Sequence, residues 1–212
     1  RIGNPHTDYN AYLSPMLVPG VMFLFIFIFT AYSIGCELKY ERSHEWLKMA
    51  GGNIRVALMG KMLPQMLLSM LMMSAYLIYI YGVMGFPHEG SWMVIFLLGF
   101  LSVLAAEGFG IFMFSLLPSM RMSMSLCSLW AVLSFSMVGT AFPVMAMDPA
   151  LETLAWLFPL RHYFVIYQTS IFSGYSLTYC WVNIACLIAF ALLPLPLMGR
   201  LKKAMMTFKY MD

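Results

Sequence analysis

The chain has 212 residues, 62% of them apolar and only 10% charged. Soluble domains carry about 25% charged residues, so the composition excludes an ordinary water-soluble globule and makes the bilayer the expected solvent. The net charge of +3 is too small and too local for a nucleic-acid surface, and Cys36, Cys127, Cys180 and Cys186 form no CxxC pair or Cys/His cluster of the kind a zinc site needs.

A bilayer-spanning helix needs about 20 mostly apolar residues. Five segments qualify, at 15–36, 62–84, 92–117, 123–145 and 176–199. Their apolar residues occupy all faces, as in lipid-immersed helices, and no short alternating segments suggest barrel strands. The sequence therefore predicts an all-α, polytopic transmembrane bundle of five spans. Pro15, Pro19 and Pro64 are expected in opening turns, where a missing N–H costs little. Pro118 and Pro143 fall near span ends, and Pro194 and Pro196 should bend the fifth span.

Lys and Arg set the orientation. Lys39, Arg42, Lys48, Arg55 and Lys61 lie in the first connector, Arg121 in the next loop on that side, and Arg200, Lys202, Lys203 and Lys209 in the tail; only Arg1 and Arg161 lie opposite. The connector and the basic tail, 200–212, are thus expected to be cytoplasmic and the N-terminus outside. Trp92, Trp156, Tyr163, Tyr167, Tyr175, Tyr179 and Trp181 suit an outer aromatic belt. The chain starts at Arg1 without a cleavable signal pattern. Residues 1–14 therefore read as the end of an extracytoplasmic segment behind a further upstream span.

The connector "CELKYERSHEWLKMAGGNIRVALMGK" holds eight of the 21 charged residues. Read as one helix over 37–50, it places Glu37, Glu41, His44, Glu45 and Lys48 on one face and Tyr40, Ser43, Trp46, Leu47 and Ala50 on the other. That is an amphipathic helix lying at the cytoplasmic interface. Its acidic row at i, i+4, i+8 is mildly unfavourable in isolation, which suggests compensation by Lys48 or by an external basic partner. Gly60-Lys61 is not a phosphate loop: Arg55 stands where the earlier Gly is needed, and Met62 replaces the magnesium-binding Ser or Thr.

Two further features stand out. Glu107 lies inside the third span, where a carboxylate costs roughly 2.5 kcal/mol or more. It should face the bundle interior, as a gate residue or as a structural hydrogen-bonding group, with Gly108 and Gly110 permitting close helix approach. The outer segment 146–175 has a helix start at Asp148-Pro149 with Glu152 in the first turn. It reads as two short helices hinged near Pro159, with Arg161 and His162 at an interfacial hinge, as anchors or in contact with cargo.

The order of a span, then "IGCELKYERSHEWLKMAGGNIRVALMGKMLPQ", then a second span resembles the membrane subunits of type-2 ATP-binding-cassette exporters. The matching residues are Glu37, Glu41, Glu45-Trp46-Leu47 and Gly60-Lys61-Met62-Leu63-Pro64. "LFPLRHYF" at 157–164 is similar to that family's outer re-entrant region. The family's first span is absent here. The resemblance implies a permease within 15–199 that binds no cofactor, with ATP and Mg held by a partner ATPase. It implies a coupling helix carrying Glu37, Glu41, Arg42, Glu45, Trp46, Leu47 and Lys48, a second membrane half as homodimer or heterodimer, and a bacterial plasma (inner) membrane location. Glu107, Arg161 and His162 become pathway or gate candidates. The alternatives are a membrane-embedded lipid-modifying enzyme and a non-transport scaffold.

Overall fold

A computed structural model describes residues 9–138 and 148–207, with side chains from residue 13 onward. Residues 1–8, 139–147 and 208–212 lie outside the described residues, and with them Pro143, Lys209 and most of the 1–14 segment. The described residues are mostly helical, with no strands among them.

The first span is helix α1, Tyr9–Lys39. It is longer at both ends than the hydropathy suggests, so Pro15 and Pro19 fall inside the helix rather than in its opening turn. Pro19 has no N–H to offer the carbonyl four residues back. The Tyr163 hydroxyl donates to that Pro15 oxygen instead, at 3.2 Å, so a tertiary contact replaces the missing helical bond. Tyr76 likewise donates to the Ser14 oxygen at 2.7 Å.

Helix α2, Ser43–Met49, follows, then α3, Ile54–Ile78, which runs on into a π-helical turn at Tyr79–Val83. Asn53 caps α3 by accepting from the Arg55 amide at 3.0 Å. Helix α4, Trp92–Leu116, is the most buried span, and α1, α3, α5, α7 and α8 all pack against it. Small residues make this possible. A Cβ on Gly108 would meet Ala191 Cα and the carbonyl oxygens of Phe190 and Ala191 at 2.6 Å, and one on Gly110 would meet Thr30 Cβ at 2.8 Å. Its two serines bond back to their own helix: Ser102 and Ser115 donate to the Leu98 and Ile111 carbonyls.

Helix α5, Met120–Met137, packs along α1. The outer segment holds α6, Pro149–Ala155, and α7, Pro159–Ile166, the latter continued by a π-helical turn at Tyr167–Phe172. Asp148 caps α6 by accepting from the Ala150 amide at 2.9 Å. The last span is α8, Trp181–Leu192, between 3-10 turns at Leu177–Cys180 and Leu195–Leu197, and it leads into α9, Met198–Thr207.

Among the described residues four stretches are long and apolar enough to cross a membrane: Leu13–Lys39, Ile54–Val83, Trp92–Leu116 and Leu177–Thr207. The span expected at 123–145 corresponds to α5, and its last residues lie outside the described ones. Of the expected aromatic belt, Trp92, Trp156, Tyr175, Tyr179 and Trp181 are exposed, but Tyr163 and Tyr167 are buried. Tyr163 is held inward by its bond to α1.

Candidate functional site

The sequence reading of one helix over 37–50 is corrected by the backbone. Helix α1 carries Glu37 and stops at Lys39, and Glu41 takes a left-handed conformation with φ 55°. The Arg42 amide donates to the Glu37 carbonyl at 2.9 Å and the Glu41 amide to Leu38 at 3.2 Å, which is the bond pair of a Schellman end. The same pattern closes α2, with Gly51 at φ 64°, Gly52 N to Leu47 O at 2.7 Å and Gly51 N to Lys48 O at 3.1 Å. Seven residues are thereby isolated between two turns. Periodicity could not show the first turn because the residue that makes it is not a glycine.

An L-residue in the left-handed region costs roughly 1–2 kcal/mol. Glu41→Gly is therefore expected to keep the break and raise the stability of the purified protein by about 1 kcal/mol. The thermal unfolding midpoint checks this; a lower midpoint would mean that the Glu41 side chain contributes more than its backbone costs.

The break divides the acidic row. Glu37 sits at the end of α1, its side chain only 14% exposed, and forms an ion pair with Lys61 of α3. Arg42 Nε lies 3.8 Å from its second oxygen. Glu41, His44, Glu45 and Lys48 remain exposed, while Ser43, Trp46 and Leu47 are buried. The polar and apolar faces read from the sequence thus hold within α2. Tyr40, assigned to the apolar face, is exposed because it lies in the turn.

Lys61, read from the sequence as one of the connector's cations, joins three elements. It pairs with Glu37 of α1 and stands 5.6 Å from the centre of the Trp46 ring of α2. One turn further along α3, the Gln65 amide donates to Thr30 Oγ1 at 2.7 Å. Helix α9 supports α2 from the other side; His44, Glu45, Lys48 and Lys202 line a hollow of about 370 Å³ between them. Arg200 ties α9 to the end of α4 by donating to the Leu116 carbonyl at 3.1 Å. These contacts pair residues fifteen or more positions apart, so only the placement of Glu37 and Lys61 at facing span ends hinted at them.

Glu107 is 5% exposed, and its Oε1 has no hydrogen-bond partner. Arg42 and Lys61 pair with Glu37 instead, at the junction of α1, α2 and α3. Arg161 and His162, expected at an interface, are instead buried, at 8% and 0% exposure. The hinge between α6 and α7 explains this. Trp130 stands ten residues into α5, about 15 Å from its start; its Nε1 donates to the Leu157 carbonyl at 3.3 Å, and its ring stacks on Phe158 at 4.9 Å. The hinge therefore reaches the middle of the bundle.

His162 uses both ring nitrogens there, Nε2 against the Trp156 carbonyl and Nδ1 against the Asn183 side chain, each at 2.9 Å. The carbonyl can only accept, so Nε2 carries the proton. Arg161 lies 5.8 Å from the centre of the Trp156 ring, and its Nη1 has no hydrogen-bond partner.

The described residues thus form an all-α bundle in which a short amphipathic helix is fastened beside the first two spans and a helical hairpin folds back into the core. The chain belongs to the ABC-2 family transporter proteins, whose family model matches residues 2–199. It is an integral membrane permease of that family. No curated protein and no solved structure matches the chain.

Proposed function

We propose that the chain is one membrane half of an exporter, driven by ATP that a partner ATP-binding-cassette ATPase binds with Mg and hydrolyses on the cytoplasmic side of a bacterial inner membrane. The observation that carries this reading is α2. A seven-residue helix is too short to be stable by itself, yet it is fastened at both ends and on its inner face. Its outer face presents His44, Glu45, Lys48 and the 81% exposed Met49, with Glu41 exposed in the turn before it. A rigid platform with charged groups around one exposed apolar side chain suits docking of a soluble protein. The ten-to-two division of Lys and Arg favours a cytoplasmic α2. A second copy or a related chain completes the pathway, and the cargo is a substrate exported through or along the paired bundles.

A photo-crosslinker at Met49 should trap an ATP-binding-cassette ATPase in intact cells, whereas one at Leu71, exposed in the middle of α3, should not. Capture of an ATPase at neither position, or at Leu71 alone, would overturn both the docking role and the cytoplasmic placement of α2.

Within this reading Glu107 is a gate residue, and Arg161 and His162 hold the hinge that the gate moves against. The support is that a buried carboxyl oxygen of α4 stands unpaired where Ser102 and Ser115 of the same helix are satisfied locally, and that a buried guanidinium nitrogen stands unpaired at the hinge. An unsatisfied buried polar group costs about 1–3 kcal/mol. Glu107→Leu should therefore raise the unfolding midpoint while lowering cargo-stimulated ATP hydrolysis at least tenfold, and Glu107→Gln should leave the midpoint near that of the parent. A destabilised Glu107→Leu with normal turnover would make the residue structural.

A further inference from the structure

Between α1 and α3 a lateral cleft of about 720 Å³ runs from the junction into the bundle. Its lining changes in layers. At the junction end stand Glu37, Arg42 and Lys61, two cations against one anion; the Arg42 side chain is 57% exposed. One turn deeper, about 6 Å along each helix axis, Ser33 and Gln65 line the cleft. Beyond them the walls are Phe25, Phe29, Leu68 and Met72, each more than half exposed. From Ser33 to Met22 the wall extends about 16 Å, close to the roughly 15 Å of hydrocarbon in one leaflet.

We propose that this cleft binds an anionic glycerophospholipid from the leaflet bordering the junction. Its phosphate meets Arg42 and Lys61, its glycerol-ester region meets Ser33 and Gln65, and an acyl chain lies along the apolar wall. A phosphate there is an anion between charged donors, which makes short and strong hydrogen bonds. An apolar helix from a second copy would match the wall but leave the excess cation at the mouth without a counter-charge; an anionic lipid meets all three layers. The phosphate competes with Glu37 for Lys61. Lipid occupancy thus loosens the pair that fixes the α1 end to α3, next to α2, and tunes the platform. The regulatory role and the choice of leaflet rest on the function proposed above; the binding itself rests on neither.

The test uses the full chain in phosphatidylcholine nanodiscs containing a trace of spin-labelled phosphatidylglycerol or spin-labelled phosphatidylcholine. The expected result is at least threefold more immobilised phosphatidylglycerol than phosphatidylcholine per protein. Arg42→Gln with Lys61→Gln should abolish that preference, and Arg42→Lys with Lys61→Arg should retain it. Ser69→Phe, which fills the cleft and spares the ion pair, should reduce immobilised phosphatidylglycerol.

Equal immobilisation of the two lipids by the parent chain, or an undiminished preference in the glutamine variants, overturns the proposal. Displacement by millimolar inorganic phosphate would reassign the mouth to a soluble anion. A disulfide-linked dimer through Leu68→Cys, formed without phosphatidylglycerol enrichment, would reassign the wall to a second copy. No ATPase is present and both leaflets carry the probe, so failure here leaves the transport reading standing. Failure of ATPase capture at Met49 equally leaves this result standing.

Discussion

Gly108→Ala is expected to cost several kcal/mol and to remove most of the folded, monodisperse protein. The added Cβ would lie 2.6 Å from Ala191 Cα and from the Phe190 and Ala191 carbonyl oxygens. These are backbone atoms of α8, so no rotamer change relieves the clash, and α4 and α8 must separate. Overpacking of side chains alone costs about 1–3 kcal/mol; separating two spans also strips dispersion contacts from both. The ring contact of Phe109 with Phe190 of α8, at 5.8 Å, would open with them. Gly60→Ala is the control. A Cβ there meets nothing within 4 Å, so the exchange should stabilise α3 by about 1 kcal/mol through helix propensity. Unfolding midpoints in detergent and the monodisperse fraction measure both, and equal tolerance of the two would contradict the close approach of α4 and α8.

Reversing the exposed charge of α2 should disable coupling without unfolding the bundle. Glu41→Lys with Glu45→Lys changes only exposed side chains. Like charges brought together at an interface cost several kcal/mol, and each 1.4 kcal/mol is about tenfold in affinity. Co-purification with the ATPase should therefore drop more than tenfold, and cargo-stimulated hydrolysis with it, at unchanged yield. Trp46→Ala should fail differently. It removes a buried ring and its approach to Lys61, costs about 3 kcal/mol, and lowers yield and coupling together. Glu37→Gln belongs with Trp46→Ala, because Glu37 is paired within the bundle. Full retention of ATPase binding by the doubly reversed protein would take the acidic side chains out of the docking surface.

The sequence by itself determined the solvent, the helical class and the place of the short amphipathic helix. Apolar runs of 20 or more residues with few charges have no stable alternative to helices in a bilayer, and a charge-dense connector stays out of it. The two faces of α2 were legible because they follow from a local period. Three decisions came only from tertiary structure. The first is the turn at Glu41, which no sequence pattern marks and which took Glu37 out of the acidic row and gave it to Lys61. The second is the depth of the hinge at Phe158–Pro159: its aromatic and cationic residues suit an interface by composition, but Trp130 of α5 holds the hinge in the core and buries Arg161 and His162. The third is the identity of each partner in the bundle. Lipid tails are as apolar as the helices, so hydrophobicity sends a segment into the membrane without choosing its neighbour; that choice is made by close approach, at Gly108 on α8 and Gly110 on α1.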